Sequence, residues 1–242
     1  MTEALVAVLG FALALAAHDL GVQGLGAESL RPFTGSCPKC RGTRGWHRPV
    51  CPHCGRRIGR EVVLALVMAG MTVILHQGFG FGPLLFVYLG FLVLTLALTV
   101  TDLEDFRIVD RLNLPGSLIL AVALAVVALV AGDGADLVRG LLGAVAYFAG
   151  TTVMFVIGGG RGFGAGDVKL APVLGLYAAF ISWGTLGWAV FITAVVGGVV
   201  GAAILIFGRG GKDTELPYGP PMVIGAWTAI ALALVGAIPL PA

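Results

Sequence analysis

Long apolar stretches alternate with short polar segments along nearly the whole 242-residue chain. Because a helix that crosses a bilayer needs about 20 mostly apolar residues, each stretch is a candidate span. The pattern predicts spans over residues 4–20, 61–76, 81–100, 114–131, 137–157, 168–181, 184–207 and 220–240. If the break near Ser182 is not real, the sixth and seventh spans merge. We therefore predict an all-α membrane protein with about eight transmembrane helices.

The composition supports this class. The chain is 58% hydrophobic and 12% charged, whereas a soluble domain carries about 25% charged residues. Its start lacks the basic segment of a secretory signal peptide, so we interpret the first apolar stretch as a retained span. The 38 glycines are dense within the spans, which favours close packing between membrane helices.

The basic residues predict an orientation. With eight spans, 14 of the 15 Lys and Arg residues fall in the first, third, fifth and seventh connections, and Arg139 is the exception. Since basic residues are enriched in cytoplasmic loops, these connections are predicted to face the cytoplasm and both termini to face outward.

All four cysteines lie in the first of these connections, which is also the most basic segment of the chain. Two Cys-x-x-Cys turns, Cys37 to Cys40 and Cys51 to Cys54, are separated by ten residues. Two such turns can complete a tetrahedral zinc shell that has no open position, which indicates a structural site. Disulfides are the alternative, but they are rare in the reducing cytoplasm. His47 and His53 could substitute as ligands, but we interpret them as solvated loop residues.

Two aspartates lie at predicted helix ends on the cytoplasmic side. Asp102 follows the third span almost directly, and Asp167 opens the sixth span after a glycine-rich loop. Taken alone, Asp102 could end a helix in solvent and Asp167 could be an N-cap residue. Carboxylates retained at a membrane boundary often serve function, however. Two of them on one side could converge on a single water molecule.

Such a pair needs one protonated and one ionised member. The dipole at a helix N-terminus favours an ionised Asp167, whereas the C-terminal position of Asp102 disfavours ionisation. We therefore assign Asp167 as the base and Asp102 as the acid of the resting pair. His18 and Asp19, near the end of the first span, could line the site, but we interpret them as solvated interfacial residues.

Four motifs along the chain resemble those of the type IV prepilin peptidases, which are membrane aspartic peptidases of the GxGD kind. The segment from Gly164 to Leu170 resembles the GxGD motif with its trailing Lys-Leu. Asp102 begins a segment that reaches Asp110 and Pro115, as in the first aspartate motif of that family. The double Cys-x-x-Cys and the turn Pro217-Tyr-Gly-Pro before the last span are similar as well.

The resemblance covers nearly the whole chain and implies cleavage of the basic leader of prepilin or pseudopilin precursors, with Asp102 and Asp167 as catalytic residues. It divides the chain into a first transmembrane helix (1–27), a zinc-binding loop (28–60) and a peptidase transmembrane domain (61–242). Residues assigned to substrate binding are Glu104, Asp105, Asp110, Gly164, Gly166 and Lys169. The acidic members could attract a basic leader, or they could be merely solvated; Lys169 could instead extend to lipid head groups.

Many members of that family also N-methylate the new terminus with S-adenosylmethionine. Here the segment from Val8 to Leu13 is only a faint match to the motif of the first helix, and its Asn is missing. Methylation therefore stays open, with S-adenosylmethionine as a second cofactor beside structural zinc.

The expected partners are a precursor of the type IV pilus or of type II secretion and the lipid bilayer, with no nucleic acid. We expect a multi-pass protein of the inner membrane whose site faces the cytoplasm. A preflagellin-like signal sequence is an alternative substrate. The alternative class is a transporter or assembly scaffold that uses the acidic pair to bind ions, although no internal repeat supports a transporter.

Overall fold

The computed structural model describes residues 2–24, 37, 39–40, 50–55, 57, 59–105, 108–158, 164–207 and 218–238. These residues contain eight α-helices, in agreement with the all-α prediction. The helices are α1 (Thr2–Gly24), α2 (Gly59–Phe79), α3 (Pro83–Asp105), α4 (Asp110–Ala131), α5 (Gly134–Ile157), α6 (Ala165–Ile181), α7 (Trp183–Phe207) and α8 (Gly219–Leu234). The break between the sixth and seventh spans is confirmed, because Ser182 is extended between α6 and α7.

Six of these helices, α1 to α5 and α7, are long and apolar enough to cross a membrane. The other two are shorter, at 17 residues for α6 and 16 for α8. Both short helices are interior: most of α6 beyond Asp167 and most of α8 are buried by neighbouring helices. A helix that is apolar on all sides is typical of such a central position.

The described residues form two compact units, Met1–Leu112 and Asn113–Ala242. In the first unit, α1 packs against α2 and α3 at glycines. A Cβ added at Gly10 would lie 2.5 Å from the Thr72 hydroxyl, and one at Gly21 would lie 2.6 Å from the Ala97 carbonyl. Only glycine allows the helices to approach this closely.

The second unit uses the same principle between α5 and α6. A Cβ added at Gly143 would lie 2.2 Å from the Cβ of Ala179, and one at Gly175 would lie 2.5 Å from the Gly143 carbonyl. Between α7 and α8, a Cβ at Gly225 would lie 2.6 Å from the Ala189 carbonyl. The prediction that the glycines serve close helix packing is therefore confirmed at these contacts.

Arg139, the one basic residue outside the predicted cytoplasmic loops, bonds to the C-terminus of α6. The last four carbonyls of a helix have no partner within it. The N–H that follows α6 reaches the first of these carbonyls, on Ala178. The Arg139 guanidinium donates hydrogen bonds to the other three, on Ala179, Phe180 and Ile181. Arg139 thus completes the C-terminal end of α6, the helix that carries Asp167 in its first turn.

Replacing Arg139 with Met is expected to destabilise the protein by about 3 kcal/mol, because three carbonyls lose charge-assisted hydrogen bonds. Thermal unfolding in detergent would measure the change. Asp136→Asn is the matched control: it breaks the 2.8 Å ion pair with Arg139 but keeps the bonds to α6. Since that ion pair is partly exposed, its loss should cost less than about 1 kcal/mol. Equal effects of the two substitutions would contradict the capping role.

Candidate active site and metal centre

Asp167 lies in the first turn of α6, which begins three residues earlier than the predicted span. Gly164 is the N-cap residue, and its backbone N–H donates a 2.9 Å hydrogen bond to Oδ2 of Asp167. The alternative that Asp167 is itself the N-cap is therefore wrong; it is the third helical residue and supports the cap from inside the helix. Its side chain is buried, with 4% of the residue exposed. This burial sets it apart from an ordinary capping carboxylate.

The residues around Asp167 include Tyr218, the residue that precedes α8. Burial raises the pKa of Tyr218 above its usual value, and the negative charge of Asp167 raises it further. The hydroxyl of Tyr218 is therefore within electrostatic reach of the carboxylate. Space for its ring comes from Gly197, where an added Cβ would lie 2.7 Å from the ring. Tyr218 belongs to the predicted late turn, whose Pro217 lies outside the described residues.

The other predicted substrate-binding residues of this segment surround the same helix start. Gly164 and Lys169 are exposed, and Gly166 is half-buried. The structure thus places Gly164, Gly166, Asp167 and Lys169 together at the N-terminal end of α6.

Asp102 lies in the last turn of α3, as predicted, but it does not end the helix in solvent. Only 4% of the residue is exposed. The burial arises because α1 packs along this part of α3, where an added Cβ at Gly21 would lie 3.0 Å from Val100. The sequence alternative of a solvated helix end is therefore wrong.

The acidic residues near Asp102 differ in exposure. Glu104 is half-buried in the same turn, and Asp110 is exposed at the first position of α4. Asp105 is the last residue of α3, and its side chain lies outside the described part.

Asp102 belongs to the unit Met1–Leu112 and Asp167 to the unit Asn113–Ala242. The pairing of the two carboxylates stays a prediction.

A buried ionisable cluster in the first unit was missed by the sequence interpretation. His18 and Asp19, predicted to be solvated, are 4% and 0% exposed, and Glu61 is 4% exposed. Nδ1 of His18 lies 4.0 Å from Asp19 and its Nε2 lies 3.8 Å from Glu61. The correction has a physical cause: α2 begins beside the end of α1 and covers these side chains. Ionisable residues within an apolar stretch were the available signal.

The four cysteines form a compact cluster, and their sulfur atoms all lie within 4.8 Å of one another. Sγ of Cys37 lies 3.6 Å from Sγ of Cys54, and the same distance separates Cys40 from Cys51. A tetrahedral zinc ion with Zn–S bonds of about 2.3 Å places its sulfurs about 3.8 Å apart. The cluster therefore fits a four-thiolate metal site, and these sulfur–sulfur distances are too long for disulfide bonds.

The second knuckle is held by a turn. Gly55 adopts a φ of +71°, and its N–H bonds to the carbonyl of Cys51. Burial raises the pKa of the Cys51 thiol, but hydrogen bonds from the backbone of His53 and Cys54 and from the other thiols outweigh it and lower the pKa to about 6. These hydrogen bonds favour the thiolate of Cys51, the form that binds metal. His53 is exposed, and His47 lies outside the described residues.

Comparisons with known proteins identify a family and several relatives. The profile of the type IV leader peptidase family matches residues 89–206, a range that contains both Asp102 and Asp167. The prepilin leader peptidase/N-methyltransferase of Bacillus subtilis (strain 168) is 30% identical over 207 residues, which cover 79% of this chain and 78% of that protein. The enzymes of the same name from Stutzerimonas stutzeri and Pseudomonas aeruginosa are 29% and 27% identical, over 80% and 81% of this chain and 70% of each relative. No solved structure matches the chain significantly.

The similarity extends well beyond one motif, because it spans both aspartate segments and most of the helices. The long apolar helices and the cysteine cluster agree with the same assignment. The chain therefore belongs to the type IV leader peptidase family and is a multi-pass membrane peptidase.

Proposed function

We propose that this protein is an aspartic endopeptidase that removes the basic leader of prepilin-like precursors at the cytoplasmic face of the inner membrane. The observation that carries the proposal is the burial of Asp102 and Asp167 at two helix ends, both inside the region that matches the family. Keeping a carboxylate out of water beside a membrane costs free energy, and carboxylates found in such places often serve a function. The names of the relatives supply the class of substrate.

In the proposed reaction, Asp167 and Asp102 act together on one water molecule. The hydrogen bond from Gly164 and the dipole of α6 favour an ionised Asp167, which takes a proton from water as the base. Asp102, protonated, donates to the carbonyl oxygen of the scissile peptide bond. The water oxygen bonds to the carbonyl carbon and forms a tetrahedral intermediate with two hydroxyl groups. As the C–N bond breaks, Asp167 passes the proton taken from water to the leaving nitrogen, and Asp102 regains a proton from one of the hydroxyl groups. The products are a free carboxyl group on the leader and a free amino group on the mature protein.

The acidic residues beside Asp102 suggest how the leader is recognised. Glu104 and Asp105 lie in the last turn of α3, and Asp110 is exposed at the start of α4. A negative surface raises the encounter rate of a positively charged segment, and salt weakens the effect. We propose that these residues attract the leader, while Gly164, Gly166 and Lys169 contact the chain near the scissile bond.

Cleavage of a precursor by the purified protein tests the proposal directly. In nanodiscs, the protein is expected to cut a precursor with a basic leader once, at the junction of leader and apolar segment. A precursor whose leader Lys and Arg residues are changed to Gln should be cut with at least ten-fold lower kcat/KM. Mass spectrometry of both products would locate the cut. Failure to cut, or cutting within a soluble unfolded protein instead, would contradict the proposal.

N-methylation is named for the relatives, but we leave it outside the proposal. The first helix lacks the Asn of the corresponding family motif, as noted above. Mass spectrometry of the mature N-terminus, after incubation with S-adenosylmethionine, would decide the point through the mass of one methyl group.

We further propose that Cys37, Cys40, Cys51 and Cys54 hold a structural zinc ion. The sulfur geometry and the thiolate character of Cys51 support this assignment. Four thiolates leave no position for water, so the metal would fix the loop between α1 and α2 rather than take part in hydrolysis.

Metal analysis of the purified protein is expected to find one zinc ion per chain at pH 7. Cys51→Ser should lose most of it, and acidification well below pH 6 should release it, because protons then compete for the thiolates. His53→Ala is the matched control, since it changes an exposed residue of the same knuckle and should keep the zinc. Full zinc occupancy in Cys51→Ser would contradict the four-cysteine site.

A further inference from the structure

A cavity of about 430 Å³ lies in the second unit between α5, α7 and Tyr218. We call it the α5–α7 cavity. Its size is within the range of pockets that hold small ligands or side chains. Several of its lining residues are exposed, among them Gly150 and Met154 on α5 and Val190 on α7. The cavity therefore opens on the side of the helices, where a neighbour within the bilayer could enter.

The walls of the cavity are apolar, but four hydroxyl groups belong to its lining. They are on Tyr147, Thr151, Thr193 and Tyr218. Tyr147 and Thr193 are buried, and their hydroxyl oxygens lie 3.5 Å apart. Lipid chains have no polar groups to bind, whereas a peptide that leaves helical geometry inside a membrane exposes backbone N–H and C=O groups that need partners. The lining is thus suited to a peptide.

The α5–α7 cavity lies at the level of Asp167. Gly143 and Gly175 are in contact on the antiparallel pair α5 and α6. Thr151 is eight residues after Gly143, and Asp167 is eight residues before Gly175. Because both helices rise by about 1.5 Å per residue, Thr151 and Asp167 lie at the same height. Tyr218, which also lines the cavity, is within electrostatic reach of Asp167.

We propose that the α5–α7 cavity is the subsite that receives the apolar side chain directly after the scissile bond of the substrate. This inference rests on the proposed function. In the proposed substrate, the basic leader precedes the scissile bond and the apolar segment follows it. The residue directly after the bond is therefore the first residue of the apolar segment. That residue would enter from the lipid side, while the hydroxyl groups bind the backbone beside it.

The test fills the cavity without disturbing the fold. An added Cβ at Gly150 would meet nothing within 4 Å, so Gly150→Leu can be accommodated. Gly198→Leu is the matched control, because Gly198 on α7 is equally open and exposed but does not line the cavity. The two variants are compared on precursors that carry either Phe or Ala directly after the scissile bond.

Gly150→Leu is expected to lower kcat/KM at least ten-fold for the Phe precursor and much less for the Ala precursor. Gly198→Leu should cut both precursors like the wild type. Equal losses on the two precursors, or no loss, would overturn the subsite while leaving the proposed cleavage intact. The loss of kcat/KM could instead depend on the chain length of the nanodisc lipids and not on the residue after the bond. That result would show that lipid occupies the cavity, and it would also overturn the subsite.

A cross-linking measurement does not depend on turnover. A precursor that carries p-benzoylphenylalanine directly after the scissile bond is mixed with the Asp167→Asn variant and irradiated. The adduct is then mapped by mass spectrometry. The expected adduct is on Met154, which lines the cavity. An adduct confined to residues outside the cavity would overturn the subsite, even if the wild type cuts none of the precursors and the proposed function fails.

Discussion

Replacing Asp167 with Asn is expected to lower kcat for precursor cleavage by about 10³-fold, and Asp102→Asn should have an effect of similar size. An amide cannot take a proton from water, and it is a far weaker acid than a carboxyl group. General acid and base groups each contribute about 10²- to 10⁴-fold to a reaction. Because Asn preserves the size of Asp, the helices that carry these residues should keep their packing.

The comparison needs a control that changes charge elsewhere. Asp133→Asn removes an exposed carboxylate between α4 and α5 and should leave cleavage unchanged. Single-turnover assays in nanodiscs would give the rates, and circular dichroism would verify that the variants are folded. Undiminished cleavage by either Asp102→Asn or Asp167→Asn would exclude that residue from catalysis.

The double variant asks whether the two carboxylates act as one unit. Residues of a shared mechanism are strongly non-additive, so Asp102→Asn combined with Asp167→Asn should be little slower than either single variant. If the losses instead multiply, the two residues act independently, and the proposal of a pair fails even though each is needed. The same assay over a range of pH would report the pair rather than one residue.

The helices were predictable from the sequence because each membrane span is a long, continuous apolar stretch. Their ends were less so. The sixth span was expected to begin at Val168, whereas α6 begins at Ala165. Hydropathy does not register that a glycine can take the N-cap position while Asp167 accepts a bond from its N–H. The capping interaction moved Asp167 from the edge of the helix into its first turn.

Residues whose role depends on distant parts of the chain were not predictable. Arg139 contradicted the charge pattern, and only the structure shows that it completes α6, about 40 residues further along the chain. His18 and Asp19 resembled interfacial residues until the start of α2 was found to cover them. The cysteines were the opposite case, because the spacing of the two turns already contains the geometry of the site.

Gly143→Ala is expected to destabilise the protein by about 2 kcal/mol and to reduce cleavage with it. The new methyl group would lie 2.2 Å from the Cβ of Ala179 and 2.9 Å from the Gly175 carbonyl. Neither atom belongs to a flexible side chain, so α5 and α6 would have to separate, and overpacking of this kind costs about 1–3 kcal/mol. Thermal unfolding and the cleavage assay would be measured on the same preparation.

Gly150→Ala makes the same change one heptad later on α5, where an added Cβ meets nothing within 4 Å. It should leave stability unchanged or raise it by up to about 1 kcal/mol, since Ala favours a helix over Gly. A helix-wide effect of replacing glycine would make the two variants equal and would refute the close-contact explanation. If Gly143→Ala instead loses stability while its folded fraction cuts normally, the α5–α6 contact stabilises the protein without positioning Asp167. Loss of both together would mean that the close approach of these helices holds the catalytic carboxylate in place.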